Sequence, residues 1–162
     1  MTTRYVIDIE ATSFLGHPIE IGWARVGAET YESYLIKPPA EWREPLNWDW
    51  DPAAAEIHGI TLDELIRDGL PPDEVIRRFE AAIGEGAILY SDAPAFDGNW
   101  LEKLYFVGSA KRPPRLLRSP LIPQHPPGYV PLHRAGPDAL FLARLLNGEP
   151  PGFLDLCDSL LS

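Results

Sequence analysis

The chain has 162 residues, 45% of them hydrophobic, and a net charge of −10. That length supports one domain with a sizeable core and is too short for two ordinary ones. No apolar run approaches the roughly 18 residues of a membrane span, the N-terminus lacks a charged start followed by an apolar core, and the lone Cys157 excludes an internal disulfide, so an unexported, membrane-free, cytoplasmic protein is expected.

In chain order, strands are expected near residues 4–10, 19–27 and 30–37, and their short connections predict an antiparallel meander. The segment Glu41 to Trp50 then concentrates three of the five tryptophans. One of these rings could stack on a terminal base, although such loops more commonly fold onto their own domain or a partner subunit. Asp51-Pro52 opens a short helix that Gly59 ends, and Thr61-Leu62-Asp63-Glu64 is a capping box for the next. Pro72 to Ile83 carries an apolar stripe at Val75, Ile76, Phe79 and Ile83. A strand returns at 87–91, followed after Pro94 by helical spacing at Phe96, Trp100, Leu101 and Leu104. Arg112 to Pro131 is proline-rich, and only Arg115 to Ile122 could add a strand, at an edge because prolines flank it. Gly136-Pro137 opens a last helix, and from Asn147 the tail has apolar positions that fit a docking helix or a homodimer contact. The succession predicts an α/β fold with a mixed sheet flanked by helices: one domain over 1–162, with a core at about 4–146 and a C-terminal docking segment over 147–162.

Five residues stand out against this frame. In Tyr5-Val6-Ile7-Asp8-Ile9-Glu10, strand alternation sends Asp8 and Glu10 to the same side. Two adjacent acids at the end of a buried strand repel each other and lose hydration, which a bound cation compensates; otherwise both sit solvated at the strand end. Oxygen donors of this kind favour Mg²⁺ or Mn²⁺ over zinc. Asp97 falls at a helix start just past a strand end, where it serves either a site or simply the helix dipole. His133 precedes the last helix and Asp138 lies in its first turn, which brings an imidazole and a carboxylate near one another; a histidine there is also commonly structural or exposed.

Taken together these residues resemble the DnaQ-like exonucleases of the DEDDh type, on the ribonuclease H-like fold, with oligoribonuclease and ribonuclease T as related exoribonucleases. Asp8-Ile9-Glu10-Ala11-Thr12 is similar to the family's first motif, Phe96-Asp97 to its second, and His133 to Asp138 to its third. Ile19-Glu20-Ile21-Gly22, Tyr34 to Pro38 and Ile57-His58-Gly59-Ile60-Thr61 resemble minor landmarks, and the likeness runs over about residues 4–146. The tyrosine subtype would need Tyr where Arg134 stands, so the histidine subtype fits better. The resemblance implies antiparallel first strands joined to parallel later ones, and metal-dependent hydrolysis of single-stranded nucleic acid from its 3′ end. It implies two Mg²⁺ or Mn²⁺ ions, with Asp8 bridging both, Glu10 and Asp138 completing one shell and Asp97 holding the other. It also implies His133 as general base, since a free histidine with pKa about 6.5 is neutral at and above pH 7. Ala11, Thr12, His58, Phe96 and Arg134 become candidate substrate contacts; His17 and His125 have no context above that of surface residues.

Two positions depart from the family. Asp92-Ala93 stands where His-Asn is common, a change expected to alter a substrate contact and leave the metal cage untouched, and Ser13 replaces a usual glycine. From Lys103 to Pro137 there is no acid, so this window carries +6 and the remainder −16. A basic lip beside the cage is expected, favouring short strands engaged locally over long duplexes, with RNA preferred to DNA. The rival reading is single-stranded DNA as substrate, or a catalytically silent nuclease fold acting as a binding module; loss of a cage residue would mark the latter, and all five are present.

Overall fold

The structure, a computed structural model, describes residues 2–122 and 130–149. Five strands form one sheet in the order β3-β2-β1-β4-β5: β1 (Arg4–Ala11), β2 (Pro18–Arg25), β3 (Glu32–Leu35), β4 (Ile88–Tyr90) and β5 (Leu116–Leu117). The pairs β1 with β2 and β2 with β3 are antiparallel, while β1 with β4 and β4 with β5 are parallel. This is the mixed α/β arrangement expected from the sequence, with the meander interrupted by helices before the chain returns.

The helices form where local chemistry supports them. Asp51 Oδ1 accepts from Ala53 N–H at 2.9 Å to open α1 (Pro52–His58), and Gly59 closes it with φ 68°, a left-handed angle that costs glycine little. Thr61 and Glu64 form the reciprocal capping box of α2 (Leu62–Asp68). The stripe of α3 (Pro72–Ile83) buries Val75, Ile76 and Phe79 against Trp23, Ile7 and Ile9; each such side chain contributes about 1.5–3 kcal/mol. The fourth helix, α4 (Pro94–Gly108), packs Leu101, Leu104 and Tyr105 into the same core. On the opposite sheet face Val6 and Ala24 meet Ala139, Leu142 and Ala143 of α5 (Ala135–Leu146). No described helix is long and apolar enough to cross a membrane.

Two sequence expectations contract. The strand expected over 115–122 is only Leu116–Leu117, because Pro113, Pro114 and Pro120 bracket it and proline lacks the N–H that a ladder needs. The tryptophan loop folds inward: Trp42 is buried, His17 stacks on it at 4.7 Å, and Trp48 stacks on Trp50 at 5.4 Å. His17 thus anchors the loop instead of being an ordinary surface residue, and its Nε2 meets the Asn47 carbonyl at 2.7 Å. The docking or dimer segment expected at 147–162 lies outside the described residues from position 150 onward, as does His125.

A close backbone approach seats α5 on β2. A Cβ added to Gly22 would lie 2.3 Å from the Ala135 carbonyl carbon and 2.4 Å from Gly136 N, so only glycine admits the helix start at this height. Gly22→Ala is expected to destabilise the protein by about 1–3 kcal/mol, seen as a lowered urea midpoint. A midpoint equal to the wild type would show that α5 does not rest there.

Candidate metal centre and active site

The parallel pairing of β1 and β4 brings their carboxyl ends to one edge of the sheet, where parallel α/β sheets place their ligands. A cleft of about 340 Å³ opens there, lined by Asp8, Glu10, Asp92, Asp97, His58 and His133 among apolar neighbours including Ala11, Phe14, Ile57 and Trp100. Two carboxylate triads share Asp8: Asp8, Glu10 and Asp138 form one, and Asp8, Asp92 and Asp97 the other. In each triad the candidate ligand oxygens lie within 4.8 Å of one another. Asp8 Oδ2 is shut off from solvent without a hydrogen-bond partner, the condition a cation relieves. An all-carboxylate donor set of this kind fits a hard divalent cation.

Electrostatics express the crowding. Burial, then the charges of Asp97, Glu10, Asp138 and Asp92, push the Asp8 carboxyl well above its ordinary range. Glu10 is raised to about 8, chiefly by burial and then by Asp138 and Glu20, against relief from Arg134. Asp97 is raised by burial although the Ser91 hydroxyl donates to its Oδ2, and Asp92 is raised mainly by burial. Asp97 is thus not merely a dipole acid: α4 carries it inward, 2% exposed. Asp138 is held from its own loop, Oδ1 accepting from Leu132 N–H at 3.0 Å and Oδ2 from Arg134 N–H at 3.3 Å.

His133 lines the cleft but belongs to neither triad. Its φ of 54° is the one positive value at a non-glycine among the described residues, and such a backbone costs about 1–3 kcal/mol, held only because its surroundings fix it. Those surroundings include a buried acid that sequence reasoning placed in a strand landmark without a role. Glu20, 2% exposed, accepts from the Arg134 Nη2 at 2.9 Å and from Ala135 N–H at 3.0 Å, pinning the loop beside His133 to β2. A charge inside the apolar run Ile19 to Ile21 needs a partner, and that was the available signal.

The remaining candidates divide. Ala11 and His58 line the cleft; His58 Nδ1 accepts from Ile60 N–H at 3.0 Å, which leaves Nε2 to carry the proton of the neutral ring, buried and unpartnered. Burial lowers the His58 pKa and so favours that neutral form. Thr12 is 1% exposed, its hydroxyl accepting from His17 N–H at 2.9 Å, so its side chain holds the β1–β2 turn. Ser13 donates to Asp49 at 2.7 Å across the same turn. Phe96 packs at 5.4 Å on Phe14, outside the cleft lining, and Arg134 is engaged by Glu20. Asp92, expected to alter a substrate contact, has its carboxylate within 4.8 Å of those of Asp8 and Asp97. Three of the six cations expected in a basic lip meet internal partners. Lys111 pairs with Glu80 at 2.7 Å and Arg134 with Glu20, acids distant in sequence that return to meet them, while Lys103 donates to the Leu15 and Gly16 carbonyls. Arg118 still acts on Asp92.

No protein-family model matches the chain, and no curated protein matches it. Among solved structures, it is similar to E. coli Exonuclease I in complex with a dT13 oligonucleotide, at 19% identity and a TM-score of 0.54, over 65% of this chain and 24% of that one. It is also similar to a moderately thermophilic Exonuclease I from Methylocaldum szegediense, at 21% identity and a TM-score of 0.53, with 65% and 24% covered. A product-bound structure of exonuclease I matches at 18% identity and a TM-score of 0.54, with 65% and 25% covered. The chain spans about a quarter of the length of these proteins, and what it shares with them is the ribonuclease H-like fold.

The raised carboxyls predict how the metal-free protein responds to pH. Glu10 ordinarily titrates near 4.5 and in the fold near 8, so the folded state holds an extra proton between these values and stability falls as pH rises through about 8. The thermal midpoint of chelator-treated protein is expected to be higher at pH 6 than at pH 9, and saturating Mn²⁺ is expected to remove the difference as the cation replaces the proton. A metal-free midpoint that climbs from pH 6 to pH 9 would contradict buried, mutually repelling carboxyls.

Proposed function

We propose that the protein is a metal-dependent 3′–5′ exonuclease acting on single-stranded nucleic acid, with short RNA as its preferred substrate. The observation that carries this reading is the pair of carboxylate triads joined at Asp8, with His133 in the same cleft but outside both. Asp8 would bridge two Mg²⁺ (or Mn²⁺) ions, with Glu10 and Asp138 around one and Asp97 on the other. When bound, such a pair lowers the pKa of the attacking water and neutralises charge gathering on the leaving oxygen. His133, not tied up as a ligand, takes the proton from that water. Ala11, with Phe14, Ile57 and Trp100, offers the terminal nucleotide an apolar wall, and the His58 Nε2–H is a donor awaiting a partner there. Thr12, Phe96 and Arg134 serve substrate by support: Thr12 shapes the turn, Phe96 backs Phe14, and Arg134 sets the His133 loop through Glu20. A cytoplasmic setting goes with this reading, supported by the single cysteine.

The RNA preference rests on the basic residues of the 103–137 window, three of which meet internal partners. A second substrate reading, single-stranded DNA, is favoured by the dT13 and dA16 oligonucleotides bound to the solved neighbours. 5′-labelled RNA and DNA oligomers of several lengths, incubated with Mg²⁺ or Mn²⁺, are expected to shorten from the 3′ end, RNA faster, with none shortened by Asp97→Ala. Faster DNA shortening transfers the assignment to DNA. Binding without shortening under either ion leaves only the silent module.

His133→Ala is expected to lower turnover by about 10²- to 10⁴-fold with Mn²⁺ binding retained. His133→Gly, which relieves the left-handed backbone, is expected to lose the same activity without a lower thermal midpoint. Full activity in either variant removes His133 from the mechanism.

A further inference from the structure

We infer that Asp92 is itself a ligand of the cation on the β4 side of the cleft, so that five carboxylates, and not four, form the metal centre. This rests on the metal-dependent reading above and adds a residue to it that the resemblance does not supply.

The geometry is set by backbone pairing. In the parallel register Val6 lies beside Tyr90, so Asp8 and Asp92 each follow two residues on, at the same level of neighbouring chain segments. Asp92 lies two residues past the end of β4, so the pairing sets the level of its backbone beside Asp8. The oxygens of Asp8, Asp92 and Asp97 lie within 4.8 Å of one another. Around an octahedral Mg²⁺, with bonds of about 2.1 Å, adjacent ligands stand about 3.0 Å apart and opposite ones about 4.2 Å, so the three carboxylates must draw inward from their present spacing to close on an ion. The shared member of this group, Asp8, presents Oδ2 sealed from water and without a donor. That atom is an independent sign of a missing positive partner.

Asp92 is not the N-cap of the helix it precedes. The N-cap of α4 is Ala93, no side chain caps that helix, and the Ala93 N–H goes to the Ser91 hydroxyl at 2.9 Å. Nor is Asp92 a solvated surface acid: it lines the cleft and is partly buried beside two other carboxylates. An extra anionic oxygen at this ion raises its affinity and lets the site fill at lower free metal, at the expense of the substrate contact that an uncharged side chain would make there.

Metal-free wild type and the variants D92N, D97N and D138N are titrated with Mn²⁺, by calorimetry and by the resonance signal of the free ion. Wild type is expected to bind a pair of ions, and D92N to weaken one by about tenfold or more while the other changes by less than about twofold. The Mg²⁺ concentration giving half-maximal activity should rise in parallel. D92N removes a repulsive charge, so its metal-free thermal midpoint should match or exceed the wild type, and D92A should repeat the loss of affinity. If D92N and D92A leave both ions unchanged while D97N weakens one, Asp92 is not a ligand and the nuclease reading survives. Should wild type bind no Mn²⁺, or D97N and D138N bind it undiminished, the metal-dependent reading fails and this assignment with it.

Discussion

Carboxylates withdrawn from water and set against one another hold their protons unless a cation takes the protons' place, and that constraint governs the cleft. Asp8 is the pivot, since both triads contain it and its Oδ2 has no other company. The fold imposes the crowding and cannot relax it. Asp8 and Glu10 are committed to one face of β1 by strand alternation, because Ile7 and Ile9 on the other face are locked into the core with Phe79 and Leu104. A slip of one residue would expose that apolar pair and bury the acids in it, so the cost of keeping the core is carried as repulsion in the cleft.

The other acids arrive on helices whose starts are fixed from below. Asp97 enters with α4 because β4 ends beside β1 and the chain turns at once into the helix. Asp138 enters with α5, whose height over the sheet is set by the backbone contact at Gly22 and whose preceding loop is tied by Glu20 to Arg134 and Ala135. The Glu20 pair is a charge bound at short range inside the protein, and breaking one partner of such a pair costs far more than the pair contributes. It works as a register pin: His133, held at a left-handed φ one residue before Arg134, has little freedom to leave the cleft.

Much of this was legible in the chain because it is written in local chemistry. The capping box at Thr61, the glycine stop at Gly59 and the stripe of α3 each depend on residues within a few positions, and each appears where the spacing predicts. The five motif residues were legible for a different reason: Asp8 and Glu10 alternate onto one side near the end of β1, while Asp97, His133 and Asp138 stand at or just before the starts of α4 and α5, and such positions leave punctuation. What escaped depends on partners distant in sequence. Asp92 looked like a changed substrate contact because its relation to Asp8 exists only once β4 pairs with β1. The basic window looked like a surface patch because Glu20 and Glu80, which engage two of its cations, lie far up the chain. His17 looked idle because the rings that stack on it belong to a loop 25 or more residues away, a separation no local pattern encodes.

The charge balance then bears on the order of events. A cleft edged by five carboxylates, in a chain of net charge −10, repels a phosphate as long as those groups are ionised and unfilled. Protonation would ease the repulsion, but a protonated carboxyl is no ligand, and burial and mutual repulsion raise Asp8, Glu10, Asp92 and Asp97 toward that form. In the proposed reading, divalent cations would displace the protons and reverse the local sign, so a nucleic-acid end would meet an attractive site only after metal had entered. A nuclease of the proposed kind would need no broad basic surface, because the positive charge that receives the substrate would be carried by the ions.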